Sequence, residues 1–193
     1  DKDTHPRFHI GESLLPLNLP LFERLGVLDE VHRIGMVKHC AEFDSREHGK
    51  RQAFDFGRAW GCKWPHAYQV RRADLDEILL RNCARRGAVV HEATRVTAVN
   101  FDDPAAVRVA AQGPDGPREW RARFLVDASG RDTFLAGRFG IKRKNPKHAS
   151  AALYGHFRKA RRNQGRDEGN ITIYWFQHGW FWFIPLKDGT TSV

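Results

Sequence analysis

Residues 180–185 read Trp-Phe-Trp-Phe-Ile-Pro, and the rest of the chain is best interpreted from this stretch. In an extended strand alternate side chains share a face, so Trp180 and Trp182 point one way and Phe181 and Phe183 the other. Two indole rings on one face bury a large apolar area and offer a flat surface to a planar ligand. An aromatic core strand has the same pattern, because aromatic residues are common in strands. The surrounding sequence has to separate these two interpretations.

The composition is that of a folded domain with an excess of positive charge. The chain has 193 residues, of which 41% are hydrophobic and 28% charged, and its net charge is +9. Many of the cations lie in residues 142–147 and 158–166. Such a field attracts nucleic acid, acidic proteins or anionic ligands, although a solvated basic face has the same composition. Nucleic acid is an unexpected partner, because no nucleic-acid motif occurs and the aromatic residues are not interleaved with these cations.

Membrane and metal partners are also unexpected. No apolar run approaches the roughly 18 residues of a membrane helix, and the chain does not start with an apolar signal region, so we expect a cytoplasmic protein. Three widely spaced cysteines, Cys40, Cys62 and Cys83, fit neither a disulfide framework nor paired zinc ligands and are predicted to be reduced. The ten histidines are scattered, which predicts no metal site.

Periodicity in the first half predicts two helices and a hairpin. The first predicted helix has Pro20 in its first turn, Leu21, Leu25 and Leu28 on one face, and its end near Gly35. Strands 37–43 and 52–56 are predicted to form a hairpin around a turn at 47–50. The second predicted helix is capped by Asp74, and its apolar stripe consists of Leu75, Ile78, Leu79 and Cys83.

The second half predicts strands. They comprise a short buried strand 88–90, a β-meander of strands 94–101, 106–110 and 119–126, a strand 151–157, and an aromatic hairpin of strands 170–177 and 180–185. The last meander strand leads directly into Asp127-Ala128-Ser129-Gly130, whose small residues let backbone amides approach a cofactor. A simple tight turn explains this tetrapeptide equally well.

Four motifs in this order resemble the flavin-dependent halogenases, within the larger group of FAD-binding oxidoreductases that includes aromatic hydroxylases and isoprenoid reductases. Residues 11–16 read Gly-Glu-Ser-Leu-Leu-Pro, and residues 69–76 are similar to the group's Gln-Val-x-Arg-x-x-Phe-Asp segment with Leu75 in place of Phe. Residues 127–130 resemble a strand end that contacts FAD. Residues 180–185 match the halogenase Trp-x-Trp-x-Ile-Pro signature without a departure, and this motif is the most specific of the four.

The resemblance implies a mixed α/β (α+β) fold, part of a glutathione-reductase/hydroxylase-like FAD-binding fold with a β-meander and an antiparallel substrate-side sheet. Residues 1–36 and 66–140 would form part of the FAD-binding domain, and residues 37–65 and 141–193 the substrate-side sheet. The family extends beyond both ends of this chain, and its Gly-x-Gly-x-x-Gly turn and later Gly-Asp segment do not occur here. We therefore expect a fragment.

The resemblance also implies FAD as cofactor, with the reduced form supplied by a separate flavin reductase. Asp1 stands where the family's ribose-binding acid ends the second Rossmann strand. The cofactor-binding residues implied by the resemblance are Asp1, Arg7, Gly11, Glu12, Ser13, Gln69, Arg72, Asp127, Ala128, Ser129 and Gly130.

Lys38 falls where these enzymes carry the active-site lysine. A lysine is mostly a surface charge on sequence position alone, and a one-residue alignment slip would exchange Lys38 with His39. The implied reaction uses reduced FAD, oxygen and chloride or bromide to form hypohalous acid. Lys38 would hold this acid as a hydrogen-bonded species or a chloramine and deliver it to an electron-rich aromatic substrate. Trp180 and Trp182 would keep the substrate from reaching the flavin directly.

Two alternatives stay open. A flavin-dependent monooxygenase or reductase could share the fold and the tryptophan strand. A non-catalytic binding protein could instead use the basic residues 142–166 to dock an acidic partner. The same basic residues would also suit a halogenase whose aromatic substrate is tethered to an acidic carrier protein.

Overall fold

Strands dominate the chain, as the alternating sequence predicts. The computed structural model describes residues 1–147 and 150–193, so His148 and Ala149, in the predicted substrate-side region, lie outside the described residues. The helices are α1 (Leu19–Leu25), α2 (Leu28–Ile34), α3 (Arg72–Arg85) and α4 (Phe134–Arg138). The strands are β1 (Met36–Lys38), β2 (Cys40–Ser45), β3 (Lys50–Asp55), β4 (Ala67–Gln69), β5 (Arg95–Asn100), β6 (Val107–Gly113), β7 (Gly116–Ala122), β8 (His156–Phe157), β9 (Ile171–Phe176), β10 (Gly179–Pro185) and β11 (Thr191–Ser192).

The described residues fall into two compact units. One consists of Asp1–Thr4 and His91–Leu153, and the other of His5–Val90 and Tyr154–Val193. These boundaries follow backbone proximity and assign no function to either unit. The predicted division into FAD-binding and substrate-side regions therefore stays a prediction.

The larger unit packs two helices and part of a third against a short ribbon. Strands β1 and β4 pair antiparallel, and α1, α2 and α3 supply apolar side chains to the same core. The fully or nearly buried members of this core are Leu19, Phe22, Val27, Val31, Ala67, Tyr68, Val70 and Leu75. The buried ribbon positions the residues around Lys38, which ends β1.

The same unit contains a mixed sheet. Within the described residues its six strands run in the order β3-β2-β9-β10-β11-β8. All neighbours are antiparallel except β2 and β9, which are parallel. The predicted aromatic hairpin is present as β9 and β10, with Gly179 opposite Phe176 across the turn. The predicted hairpin of strands 37–43 and 52–56 is present as β2 and β3.

The smaller unit contains the predicted β-meander. Strands β5, β6 and β7 pair in sequence order, and Val99, Val109 and Ala111 are its buried apolar residues. The chain start joins this unit, because the backbone amide of Thr94 donates to the carbonyl of Asp1 at 2.8 Å. Meander, mixed sheet and helices together confirm the mixed α/β class.

The single helix predicted from Pro20 to Gly35 is wrong, because the structure has two. Gly26 adopts a left-handed conformation (φ 74°) and ends α1, which glycine does at no steric cost. The break rotates the second segment, so Leu21 and Leu25 are exposed while Val27 and Val31 are buried.

The start of the next helix and one residue of its apolar stripe were predicted wrongly, whereas Leu75, Ile78 and Leu79 do pack on the core. Helix α3 begins at Arg72, so Asp74 lies in its first turn and is not its cap. The helix extends further because Arg72 forms an i,i+4 ion pair with Asp76. Cys83 is exposed. The neighbouring Asn82 takes the buried position, where its side-chain amide donates to the carbonyl of Leu25 at 3.2 Å.

Several predicted strands are shorter than expected or absent, because the neighbouring strand that would pair with them ends first. Residues 37–43 are divided between β1 and β2 at His39. Residues 124–126 are not a strand, since Ala122 already pairs with Val107, the first residue of β6. Of residues 151–157 only the last two form a strand, because β11 has only two residues to pair with them. Residues 88–90 form no strand, and Val89 is 80% exposed.

Over residues 1–147 and 150–193, every helix is too short or too polar to cross a lipid bilayer.

Gly169, in the turn before β9, lies very close to the backbone of the ribbon at Val37. A Cβ atom at this position would lie 1.9 Å from the carbonyl oxygen of Val37, so Gly169→Ala requires backbone movement. We expect this substitution to lower the free energy of unfolding by about 3 kcal/mol, measured by urea denaturation. The control is Gly137→Ala in α4, where the added Cβ meets no atom within 4 Å and alanine favours the helix. Equal stability of the two variants would contradict the close contact.

Candidate active site

The ribbon brings three predicted site residues to one face. Lys38 pairs with Ala67 across β1 and β4, and Ser13 forms an antiparallel bridge with Gln69. Backbone hydrogen bonds fix this third chain segment, since Leu14 N donates to Tyr68 O at 3.0 Å. Ala67 and Gln69 are two residues apart and share a face, so Lys38, Gln69 and Ser13 project from the same side. The small side chain of Ala67 leaves room for Lys38 to reach Ser13.

The amine of Lys38 is buried. Only 1% of this residue is exposed, and its Nζ donates a hydrogen bond to Ser13 Oγ at 2.6 Å. The amine also lies 5.7 Å from the centre of the Phe56 ring. Burial lowers the pKa of Lys38 to about 7, because desolvation disfavours the charged form. Near neutral pH a substantial fraction of this amine carries a free lone pair, which makes it a nucleophile.

Gly169 and Asn170 hold the end of β1 in place. Asn170 Oδ1 accepts hydrogen bonds from the backbone amides of His39 at 3.1 Å and Cys40 at 3.0 Å. Gln69 Nε2 donates to the carbonyl of Gly169 at 3.1 Å. These contacts occupy the backbone amides where β1 ends and β2 begins, so they account for the break at His39.

Glu42 anchors this arrangement from β2. Its carboxylate is buried and accepts hydrogen bonds from Arg51 at 2.5 Å, Asn170 at 3.1 Å, Asn163 at 3.1 Å and Thr172 at 3.3 Å. Burial raises the pKa of Glu42, but the hydrogen bonds from Asn170, Arg51 and Asn163 outweigh it, so the pKa lies below its ordinary value. Glu42 was not among the predicted site residues. Its partners come from segments distant in the chain, so no local pattern indicated them.

Predicted flavin residues cluster at the start of the larger unit. Gly11 is exposed with φ 110°, and a Cβ there would lie 2.8 Å from Arg72 Nη1. Arg72 Nη1 in turn donates to the carbonyl of Ile10 at 3.0 Å. Arg7, just upstream, is partly buried. A backbone without a side chain beside a guanidinium is a surface that an anionic or planar cofactor can approach closely.

Two buried acceptors lie next to this surface. Glu12 is 2% exposed, and its Oε1 lies 2.7 Å from His156 Nε2. Among residues 1–147 and 150–193, neither Glu12 Oε2 nor Gln69 Oε1 has a hydrogen-bond partner. Unpaired buried acceptors are costly and suit a ligand that donates hydrogen bonds, as the N–H groups of a flavin ring do. The residues of this segment therefore fit FAD.

The remaining predicted flavin residues belong to the smaller unit. The Asp127 carboxylate accepts hydrogen bonds from the backbone amides of Ser129 at 2.9 Å and Leu135 at 2.8 Å. The hydrogen bonds from Ser129 and Leu135 hold the pKa of Asp127 below its ordinary value. Gly130 has φ 59° and begins a 3₁₀ turn, and Ala128 is exposed. The backbone nitrogen of Asp1 lies 2.7 Å from the carbonyl oxygen of His91.

The tryptophan face of β10 is open and larger than predicted. Trp180 is 64% and Trp182 46% exposed, and Trp180 pairs with Trp175 of β9. On the opposite face Phe181 stacks on Tyr174 with ring centres 5.0 Å apart. The predicted alternation is confirmed. Trp175 was missed, although its place opposite Trp180 follows once the register of the hairpin is known.

Known proteins share this architecture. The FAD binding domain family matches residues 8–191. The chain is 32% identical over 196 residues to a tryptophan 2-halogenase of Chondromyces crocatus, covering 100% of this chain and 37% of that protein. It is 27% identical over 216 residues to a 1H-pyrrole-2-carbonyl-[peptidyl-carrier protein] chlorinase of Pseudomonas fluorescens, covering 100% and 48% respectively.

A solved structure agrees with these sequence matches. The myxobacterial chondrochloren halogenase CndH superposes with a TM-score of 0.81 at 34% identity, covering 100% of this chain and 45% of that one. The chain thus spans less than half the length of the relatives it matches. The resemblance to flavin-dependent halogenases is confirmed, and the chain belongs to the FAD binding domain family.

Proposed function

We propose that this protein acts as an FAD-dependent halogenase in which Lys38 transfers an oxidised halogen to an electron-rich aromatic ring. The observation that supports this most is the buried Lys38 amine, with a pKa lowered to about 7 and a hydrogen bond to Ser13 of the Gly-Glu-Ser segment. Halogenase relatives in both sequence and structure support the same reaction class. His39, the competing candidate, is the weaker one because its imidazole lies beside His66, with ring centres 6.3 Å apart, whereas the Lys38 amine reaches Ser13 of the Gly-Glu-Ser segment.

The chain's own residues would hold the cofactor. Reduced FAD, with oxygen and a halide ion, supplies hypohalous acid when it is bound. The residues proposed to bind FAD in the larger unit are Arg7, Gly11, Glu12, Ser13, Gln69 and Arg72, and those in the smaller unit are Asp1, Asp127, Ala128, Ser129 and Gly130. We propose that a separate flavin reductase supplies the reduced cofactor.

Lys38 would then act as a nucleophile. Its neutral nitrogen attacks the halogen of hypohalous acid, an N–halogen bond forms as the halogen–oxygen bond breaks, and the amine proton joins the departing hydroxide as water. The aromatic carbon takes the halogen from the chloramine, and the ring proton returns to the lysine nitrogen. Ser13 Oγ fixes the direction of the amine through its 2.6 Å hydrogen bond. Burial keeps water from competing for the chloramine.

Trp180 and Trp182 would exclude the substrate from the flavin. Both indoles are at least partly exposed on one face of β10, so they form a broad apolar surface. In this proposal the surface separates the cofactor from the aromatic substrate, and only the small hypohalous acid reaches Lys38.

Removal of the Lys38 amine tests the central step. We expect Lys38→Ala to lower halogenation of an electron-rich phenol at least about a hundredfold, while oxidation of reduced FAD by oxygen continues. Product mass spectrometry, with the halogen isotope pattern as signature, measures the first quantity and oxygen consumption the second. The matched control is Lys50→Ala, which removes an exposed lysine from β3.

Halogenation that survives in Lys38→Ala would remove Lys38 from the mechanism. A product from the unaltered protein that gains one oxygen instead of a halogen would favour the monooxygenase alternative. Reduction of the substrate would favour the reductase alternative.

The lowered pKa of Lys38 also predicts a pH-dependent stability. Between pH 7 and pH 10.5 the unfolded lysine is protonated and the folded one is neutral, so stability rises with pH across this window. Lys38→Met removes this dependence. We therefore expect Lys38→Met to have a higher free energy of unfolding than the unaltered protein, with the largest difference below pH 7. As pH rises, this difference should shrink by up to about 1.4 kcal/mol per pH unit. Urea denaturation at pH 6.5, 8 and 9.5 measures it. A difference that is constant with pH would show an ordinary lysine pKa.

We further propose that the aromatic substrate is carried by an acidic carrier protein. One relative is named as a chlorinase of a carrier-bound pyrrole, and Arg158, Lys159 and Arg166 of the larger unit are exposed.

Ionic strength tests this partner. We expect the dissociation constant for an acidic peptidyl carrier protein to rise steeply between 50 and 500 mM NaCl, measured by calorimetry, because salt screens such contacts. Arg158→Glu should weaken binding further, and Lys50→Glu should leave it nearly unchanged. Salt-independent binding would exclude a charge-driven interface.

A further inference from the structure

A cavity of about 660 Å³ lies beside β9 and β10, and the β10 residues that line it, Phe181 and Phe183, are on the face opposite Trp180 and Trp182. Its floor is the aromatic surface formed by Tyr174, Phe181 and Phe183, and Trp175 and Phe176 of β9 also line it. Cross-strand pairing explains this grouping, because Tyr174 pairs with Phe181 and both side chains leave the sheet on the same side. The volume is within the range of small-molecule sites.

The aromatic rings of the cavity floor are held in place by contacts with one another. Phe181 stacks on Tyr174 at 5.0 Å, and Phe183 meets Tyr174 edge-on at 6.3 Å. Phe181 remains 43% exposed. Rigid aromatic rings with an exposed face bind planar apolar groups by stacking at little entropic cost.

The rim of the cavity is cationic. Four arginines line it against two carboxylates, those of Asp44 and Glu47. Arg51 is engaged by the Glu42 carboxylate, and Arg162 is fixed to Thr190 and Thr191 of the sheet.

Two of these arginines are available to a ligand. Across residues 1–147 and 150–193, no hydrogen bond or ion pair occupies the guanidinium group of Arg46 or Arg161, and both are exposed. Guanidinium groups recognise carboxylates in a bidentate geometry. The nearby Asp44 and Glu47 disfavour a multiply charged anion, so a singly charged ligand fits best.

We propose that this cavity binds an aromatic carboxylate, with the ring against Tyr174 and Phe181 and the carboxylate at Arg46 and Arg161. Lys38 is not among the residues that line it, and the cavity lies on the other face of β10 from Trp180 and Trp182. The site is therefore distinct from the proposed halogenation site and does not depend on that function.

Calorimetric titration with 2-naphthoate tests the site, with uncharged 2-naphthamide as the matched probe. We expect saturable one-to-one binding of 2-naphthoate and binding of 2-naphthamide at least about tenfold weaker, the usual effect of losing a charge-assisted hydrogen bond. The double variant Arg46→Gln/Arg161→Gln should weaken 2-naphthoate binding about tenfold or more. The control, Arg108→Gln/Arg123→Gln, removes the same charge from exposed positions of the smaller unit and should bind like the unaltered protein.

Phe181→Leu should weaken both probes, because it removes the stacking surface while keeping an apolar side chain. The proposal is wrong if the two probes bind equally, if neither binds, or if both double variants lose affinity equally. Adenosine monophosphate serves as a further probe, and tighter binding of it than of 2-naphthoate would reassign the site to a phosphate ligand.

Discussion

The buried carboxylate of Glu42 is the constraint on which the arrangement around Lys38 depends. A carboxylate taken out of water is stable only when its lone pairs are satisfied, and here four side chains from β3, β9 and the preceding loop supply the donors. One of those donors, Asn170, uses its other side-chain atoms to hold the backbone between β1 and β2. The hydrogen bonds that stabilise the Glu42 carboxylate therefore also fix the backbone that carries Lys38.

The surroundings favour the charged form of Glu42 but the neutral form of Lys38. Glu42 receives enough hydrogen bonds to stay charged, whereas Lys38 receives one neutral acceptor, Ser13, and its pKa falls to about 7. The difference follows from the number of partners, because burial alone disfavours both charged forms. A nearby carboxylate would have kept the amine protonated and poorly nucleophilic. The chemistry proposed for Lys38 thus depends on the absence of an acid at its side, within residues 1–147 and 150–193, as much as on its burial.

Local sequence patterns predicted the helices and strands whose formation depends on neighbouring residues. Alternation identified β5, β6, β9 and β10, and the helical spacing of apolar residues identified α3, because neighbouring residues determine these elements. Where a strand ends depends on its partner, and for that reason residues 88–90 and 124–126 were assigned wrongly. Lys38 was predicted as a site residue from the family resemblance, whereas its burial is seen only in the structure. Glu42 and Asn170 could not be found this way, since their interaction joins segments that only the tertiary fold brings together.

The two-residue turn at Gln177 and His178 connects strands whose two faces have different surroundings. One face carries the exposed indoles and the other the cavity with its arginine rim. Strand side chains alternate with a period of two, so inserting or deleting one residue in this turn would exchange the faces of β10. Selection on either surface therefore also constrains the length of the turn between them, and we expect natural length variation in this hairpin to occur in steps of two residues.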